Sequence, residues 1–129
     1  MKKKIVYIAH PLGSGVEREP NRQRASVWVA WAALQGVAPC ASWIILAGQF
    51  DESYRDMGMA IDKALVERSD EVWLCGTHIS PGMLEEKYHA EDHGILVIDK
   101  TGVLLPSFAG TGHRVEHQGK YRVLKVAVS

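Results

Sequence analysis

Short apolar runs alternate with helical patterns along the first hundred residues, and this alternation limits the fold more than any other feature. The first run, 5–9 (IVYIA), is apolar without interruption and rich in β-branched residues, as expected of a strand covered on both faces. Similar runs follow at 37–42, 70–76 and 94–99. Strands separated by helices favour a parallel sheet with helices on both faces. We therefore predict one doubly wound α/β domain over residues 1–129.

Helical patterns fill the intervals between these runs. Asp51 is a suitable N-cap for the second helix, and Ser80 and Pro81 supply a serine N-cap and a first-turn proline for the third. The apolar stretch 43–50 has no assignment from its pattern alone. The three helices are predicted at 21–35, 52–68 and 80–92.

The pattern changes after Lys100. Residues 102–108 are consistent with a loop or a short strand, and 114–117 and 121–128 with two strands around a short turn. This part predicts a β-hairpin on the sheet edge or an arm that reaches a second subunit. The elements together predict a flavodoxin- or Rossmann-like three-layer sandwich with a parallel sheet of four to five strands.

Composition disfavours several classes of partner. Fifteen basic and fifteen acidic side chains cancel, so net charge gives no reason to expect a nucleic-acid partner. No apolar run approaches the roughly 20 residues of a membrane span, and the short apolar run after the basic start is typical of a first strand and not of a signal peptide. Cys40 and Cys75 lie in apolar contexts, which favours reduced core cysteines in a cytoplasmic protein over a disulfide.

The histidines match no recognised metal motif. The six histidines are scattered, and neither CxxC nor HExxH spacing occurs. We therefore expect no metal site and no cofactor.

Two tryptophans indicate a candidate subunit interface. In the first helix, Ala25, Val29 and Ala32 complete a small inner stripe, and Trp28 and Trp31 lie on a neighbouring face. Core packing explains such aromatic residues, but a contact between subunits explains them equally well. We expect a homodimer or a higher homo-oligomer.

Two carboxylates occupy helical positions that should be apolar. The helical neighbours of Asp62 are all apolar, and those of Glu86 are small or apolar apart from one histidine. A carboxylate there destabilises the fold unless it is paired or faces a wet cleft. Either acid alone is equally consistent with a buried structural role. Two such acids flanking the end of one strand favour a functional site.

The loop after the first strand is a second candidate element. A strand, the glycine-bearing loop 10–15 (HPLGSG) and a helix together present backbone N–H groups to an anion. The loop lacks both GxGxxG and GxxxxGK[ST], so a plain strand-to-helix turn also fits. Arg22 and Arg24 in the first predicted helical turn oppose the helix dipole, a cost that an anionic ligand would relieve. Two solvated arginines are the alternative.

These segments resemble the nucleoside 2-deoxyribosyltransferase-like superfamily, which includes the deoxynucleoside 5′-monophosphate N-glycosidases. The resemblance rests on the opening VYIAHP, on the spacing of Asp62 and Asp70, on SDEVWLCG, and on SPGMxxExxxA from Ser80 to Ala90. It covers about residues 4–99 and is closest to the small bacterial and phage members.

The resemblance implies a site for glycosyl transfer. It implies that Glu86 attacks C1′ of the sugar, that Asp62 manages the proton of the base nitrogen, and that Tyr7 orients Glu86. Two carboxylates about 5 Å apart are the geometry of retaining enzymes. Glu86 follows Gly82-Met83 at a distance two residues longer than in the family pattern. Glu85 therefore remains an alternative nucleophile.

The resemblance also implies a pocket for a 5′-phosphate. Ser80 falls where the transferases carry an aspartate that binds the free 5′-hydroxyl. A carboxylate repels a phosphate, whereas a hydroxyl at a helix N-terminus accepts it. The other implied substrate-binding residues are His10, Gly13, Ser14, Gly15, Arg22, Gly82 and Met83.

The function that this resemblance favours is a retaining N-glycosidase acting on a (deoxy)nucleoside 5′-monophosphate. Base exchange between free nucleosides is the enzymatic alternative. A protein that binds a nucleotide as a signal without turnover is the alternative from another class. A structural subunit whose tryptophan face is its purpose is a third hypothesis.

Overall fold

A four-stranded, all-parallel sheet forms the centre of the fold. The computed structural model describes residues 2–103 and 105, and the backbone of 114–118 and 121–125. The strand order is β2-β1-β3-β4. The predicted α/β fold with a parallel sheet is therefore confirmed. The four strands are β1 (Ile5–Ala9), β2 (Ala38–Cys40), β3 (Glu71–Leu74) and β4 (Leu96–Asp99).

The central position of β1 explains its composition. β1 pairs with β2 on one side and with β3 on the other, and its residues from Val6 to Ala9 are fully buried. β2 is an edge strand, which is why it accommodates Pro39, a residue without a backbone N–H. Tyr7 lies opposite Val72 of β3 in the register, in the middle of the sheet.

Four α-helices connect the strands. α1 begins three residues earlier than predicted, because Pro20 is tolerated in the first turn of a helix and does not mark its start. The stretch 43–50, which had no assignment, contains α2. The helices are α1 (Arg18–Leu34), α2 (Trp43–Gln49), α3 (Arg55–Glu67) and α4 (Pro81–Asp92), and short 3-10 turns at Gly15–Glu17 and Glu52–Tyr54 precede α1 and α3.

Both predicted N-caps are present. Ser80 Oγ accepts a hydrogen bond from the backbone N–H of Met83 at 3.3 Å, and Pro81 is the first residue of α4. The Asp51 carboxylate accepts from the backbone N–H of Ser53 at 3.0 Å, at the start of the 3-10 turn before α3. Ser80 therefore fixes the start of α4, whereas α3 begins at Arg55, three residues later than predicted, after the 3-10 turn that Asp51 caps.

Alternate residues of β1 pack into two separate cores. Tyr7 and Ala9 belong to a core on one face of the sheet that includes Val66 of α3 and Met83 of α4. The core on the other face contains Val6, Ile8, Trp73 and two residues of α1, Trp28 and Ala32.

The tryptophans of α1 are part of this second core. Trp28 is 7 % exposed, and Trp31 packs at the core margin with its ring 5.7 Å from that of Trp73. The structure therefore favours the core explanation of Trp28 over the predicted subunit interface. Burial against the sheet of its own chain accounts for the residue.

The C-terminal part contains β5 (Arg114–Gln118) and β6 (Tyr121–Lys125), which pair as antiparallel strands. They form a sheet of their own and do not extend the parallel sheet. The predicted pair of strands is therefore present, whereas residues 104, 106–108 and 126–128 of the predicted segments lie outside the described residues. Across the described part of the chain, no helix has the length and apolar character needed to cross a membrane.

Candidate active site

A cleft opens at the carboxyl end of the parallel strands. β1 and β3 are neighbours at the centre of the sheet, and the chain leaves them toward opposite edges, to β2 and to β4. The loops that follow two such strands separate and leave a crevice, where open α/β sheets bind their ligands. The cleft measures about 370 Å³. That volume is within the usual range of small-molecule sites.

Glu86 lies at the bottom of this cleft. It occupies the second turn of α4 and is 6 % exposed. The Tyr7 hydroxyl, which is fully buried in β1, donates a hydrogen bond to Oε2 of Glu86. Its neighbour Glu85 points away from this bond: its side chain is 53 % exposed and lies 3.9 Å from the guanidinium of Arg55. The geometry therefore favours Glu86 over Glu85 as a reacting group.

Asp62 of α3 lines the same cleft. The residue is 9 % exposed, and its Oδ1 atom is buried without a hydrogen-bond partner among the described residues. A buried polar atom without a partner destabilises a fold, and native proteins rarely retain one without a functional reason. The unsatisfied oxygen makes Asp62 an unusual acid for its buried position.

The two carboxyl groups perturb each other. Burial is the main cause that raises the pKa of Glu86, the Tyr7 hydrogen bond lowers it, and the charge of Asp62 raises it further. Burial also raises the pKa of Asp62, against the lowering effect of its interactions with Glu86 and Tyr7. Two close, buried carboxyl groups cannot both ionise easily. The pair therefore retains a proton well above the pH at which an exposed carboxyl group loses it.

Tyr7 remains a hydrogen-bond donor at all ordinary pH values. Burial and the nearby carboxylates raise the pKa of its hydroxyl well above the usual value. A neutral phenol held against Glu86 stabilises the ionised form of that acid and fixes its orientation.

His10 forms the wall of the cleft beside β1. Its Nδ1–H donates to the carbonyl of Pro11 at 2.7 Å, and burial lowers the pKa of the ring to about 4, so the imidazole is neutral. The loop after β3 passes very close: a Cβ on Gly76 would lie 2.9 Å from atoms of both His10 and Pro11, and Gly76 has a φ of +99°. Only glycine fits this crossing without strain.

Most of the predicted site residues lie together in this cleft. Tyr7, Gly15 and Arg22 do not line the cleft, but Tyr7 contacts it through its hydrogen bond to Glu86. The backbone N–H of Gly15 donates to Oε1 of Glu52 at 2.6 Å. The residues that do line it are Asp62, Glu86, His10, Gly13, Ser14, Ser80, Gly82 and Met83.

Arg22 instead has structural partners. It pairs with Glu19 at 2.6 Å and donates to the carbonyl of Ile44 at 3.3 Å, at the start of α2. Arg18 is the arginine of α1 that lines the cleft, and its Nη1 donates to the carbonyl of Ala47 at 2.7 Å. The earlier start of α1 explains the difference, because Arg18 and not Arg22 is in the first helical turn.

The sequence pattern did not predict two further groups at the cleft, an aromatic pair and an arginine. The rings of Phe50 and Tyr54 stack with centroids 3.9 Å apart and planes inclined by 7°. Arg55 begins α3 and lines the same side. Phe50 follows α2, for which the pattern gave no assignment, so its place at the cleft was not predictable.

Comparisons with known proteins give a family but no activity. No curated protein matches the chain. Residues 4–100 match the family model described as Domain of unknown function (DUF7768), and the chain belongs to that family.

Proposed function

We propose that this protein is a retaining N-glycosidase that cleaves the bond between base and sugar in a (deoxy)nucleoside 5′-monophosphate. The observation that supports it best is the arrangement of Tyr7, Glu86 and Asp62. A buried glutamate oriented by a tyrosine and an unsatisfied aspartate share one cleft. The resemblance of the sequence to the nucleoside 2-deoxyribosyltransferase-like superfamily points to the same three residues.

The first chemical step follows from these roles. A carboxylate oxygen of Glu86 attacks C1′, and the bond between C1′ and the base nitrogen breaks with its electron pair moving to the base. Asp62 donates its proton to that nitrogen as a general acid. Burial raises the pKa of both carboxyl groups, so the pair retains one proton that Asp62 can pass to the base, and the hydrogen bond from Tyr7 favours the negative charge on Glu86.

The second step releases the sugar. Asp62, now ionised, takes a proton from a water molecule whose oxygen attacks C1′ of the glycosyl ester. The bond between C1′ and Glu86 breaks, and Glu86 leaves as a carboxylate. If the substrate is a nucleoside without phosphate and a second base replaces water in this step, the same residues perform base exchange between nucleosides, which is the enzymatic alternative.

Several residues that line the cleft suit a phosphate. Ser80 caps α4, whose first-turn backbone N–H groups and positive dipole favour an anion. Arg18 from α1 adds a guanidinium that forms charge-assisted hydrogen bonds. Asp51 and Glu52 also line the cleft, so its potential is mixed and the phosphate is best placed near Ser80.

The Phe50–Tyr54 pair suits a base. Aromatic side chains of this kind provide faces on which a purine or pyrimidine stacks. Trp43 adds a largely buried aromatic wall, and its indole N–H is already bound to the carbonyl of Ile8 at 3.0 Å. The aromatic part of the cleft is therefore apolar and offers stacking more than hydrogen bonding.

The test is release of free base from a panel of nucleoside and deoxynucleoside 5′-monophosphates, followed by chromatography. We expect the parent protein and the Glu85→Gln control to release base and Glu86→Gln to release none. The corresponding nucleosides without phosphate should be poorer substrates. Binding of a monophosphate without release by the parent would instead support a nucleotide sensor. Neither binding nor release from any member would reject both functions.

A further inference from the structure

Glu67, His89 and His93 form a compact cluster at the carboxyl ends of α3 and α4. Glu67 is the last residue of α3, and the two histidines lie one turn apart at the end of α4. Oε1 of Glu67 lies 2.8 Å from Nε2 of His89 and 3.5 Å from Nε2 of His93. The ligand atoms of all three residues lie within 4.8 Å of one another.

The orientation of His93 is already fixed for metal binding. Its Nδ1 lies 2.8 Å from the backbone carbonyl of His89, and a carbonyl can only accept, so Nδ1 carries the hydrogen. In the neutral ring the lone pair is then on Nε2, the atom that faces Glu67. Metal-binding histidines use this same arrangement, in which the second ring nitrogen donates to a carbonyl or carboxylate.

The ligand set and its spacing suit zinc. Two imidazole nitrogens and one carboxylate oxygen bind Zn²⁺ at about 2.0–2.2 Å, which places the ligand atoms of a tetrahedral site about 3.3 Å apart. The separations of 2.8 and 3.5 Å from Glu67 lie on either side of that value. Nε2 of His89 donates a hydrogen bond to Glu67, so an ion that binds here would displace that hydrogen and draw together three ligand atoms that already lie within 4.8 Å of one another. Water would take the remaining coordination position.

The surroundings permit a cation. The side chains of Glu67, His89 and His93 are 36 %, 22 % and 44 % exposed, so an ion can reach them from solvent. Both helices direct their carboxyl ends, the negative ends of their dipoles, toward the cluster. Arg68 is the nearby cation, and it approaches the other carboxylate oxygen of Glu67 at 4.0 Å.

We propose that Glu67, His89 and His93 bind a divalent late transition-metal ion, for which Zn²⁺ is the best match. The ion would join the ends of α3 and α4, the two helices that carry Asp62 and Glu86, and would stabilise their packing. The proposal revises the sequence-based expectation of no metal site. It does not depend on the glycosidase function, because the cluster lies outside the cleft.

The test is calorimetric titration of ZnCl₂ into the full chain in a buffer that does not bind zinc. We expect one Zn²⁺ per chain, with affinity lowered at least about tenfold in His93→Ala and in Glu67→Gln. His78→Ala removes an exposed histidine outside the cluster, and Glu91→Gln removes an acid on the same helix that pairs with Lys87. Both controls should bind zinc as the parent does.

Thermal melting supplies an independent measurement. Zn²⁺ should raise the Tm of the parent and of His78→Ala, and should leave the Tm of His93→Ala unchanged. His93→Gln retains a side chain of similar size and is therefore less disruptive to the fold than His93→Ala. It should show the same loss of zinc binding, which excludes unfolding as the cause of that loss. The proposal is overturned if the parent binds no zinc, or if the His93 and Glu67 variants bind it as tightly as the parent.

Discussion

The hydroxyl of Tyr7 donates a hydrogen bond to Glu86 across 79 positions of sequence. One residue lies in the central strand, and the other lies in the second turn of α4. The backbone is held in place at both positions, because β1 pairs with a strand on each side and α4 begins at the Ser80 cap. The sheet therefore holds the carboxylate of Glu86 in one orientation at the bottom of the cleft.

Removing the Tyr7 hydroxyl should lower activity more than stability. Tyr7→Phe deletes one oxygen and leaves Glu86 without its donor, so we expect kcat for base release to fall about 10²-fold, as for a misplaced reacting group. Loss of that donor also raises the pKa of Glu86, so the rising limb of the pH–rate profile should move to higher pH. Unchanged kcat and an unshifted pH profile in a folded Tyr7→Phe variant would contradict the role.

Neutralising Asp62 should reduce activity and increase stability at higher pH. The folded-state pKa of this carboxyl group lies above its unfolded-state value, so the folded state binds more protons and stability falls as pH rises between the two values. Asp62→Asn has no ionisable group at this position, so it avoids this fall in stability. The fall amounts to about 1.4 kcal/mol for each unit by which the folded pKa exceeds the unfolded pKa. The gain in unfolding free energy over the parent should increase from about pH 4 to about pH 6, the interval between the two pKa values, and stay constant above it in urea titrations.

The activity of the same variant provides the second half of this test. Loss of a general acid should lower kcat by roughly 10²- to 10⁴-fold. Asp56→Asn, at an exposed position of the same helix, is the control for the introduced amide. An Asp62→Asn variant that is less stable than the parent at pH 8 would show that the carboxylate has a structural role.

His10 should make the protein sensitive to acid. Burial lowers the pKa of its imidazole to about 4, below the unfolded value, so the stability of the neutral ring is fully present above pH 6.5 and is lost as pH falls toward 4. We expect His10→Gln to lose less stability than the parent over that interval. An NMR titration of the ring protons should show His10 neutral at pH 6, and a midpoint near 6.5 would contradict this.

The crossing of the two cleft loops should depend on Gly76. Gly76→Ala adds both a strained backbone conformation and a clash with His10 and Pro11, whereas Gly36→Ala adds only strain, because φ is +92° there and nothing lies within 4 Å. We expect Gly36→Ala to lose about 1–2 kcal/mol of unfolding free energy and Gly76→Ala to lose more. Chemical denaturation measures both, and equal losses would show that the close approach is unimportant.

Local sequence pattern was sufficient to predict the parallel sheet and the cap of α4, because each rests on local residues. The run IVYIA is apolar throughout, as suits a strand buried on both faces, and Ser80 with Pro81 matches the start of a helix. The start of α1 was misplaced because Pro20 fits equally well before a helix and inside its first turn. That error of three residues led to Arg22 in place of Arg18 as the arginine at the cleft.

Contacts between distant residues could not be predicted from pattern. The burial of Trp28 depends on Trp73 of β3, and the Phe50–Tyr54 stack depends on the turn between α2 and α3. The His89–His93 spacing is visible in the sequence, but Glu67 lies 22 residues earlier, and only the packing of α3 against α4 brings it to the histidines. Local pattern therefore predicted the positions of the carboxylates but not their surroundings.

The most direct test of the central claim is to trap the sugar on the protein. A 2′-fluoro-2′-deoxynucleoside 5′-monophosphate is incubated with the protein, quenched during turnover, and the peptides are analysed by mass spectrometry. We predict an added mass of one fluorinated sugar phosphate on Glu86 in the parent and none in Glu86→Gln. Base release without any adduct, or an adduct on Glu85, would contradict the assignment of Glu86 as the nucleophile.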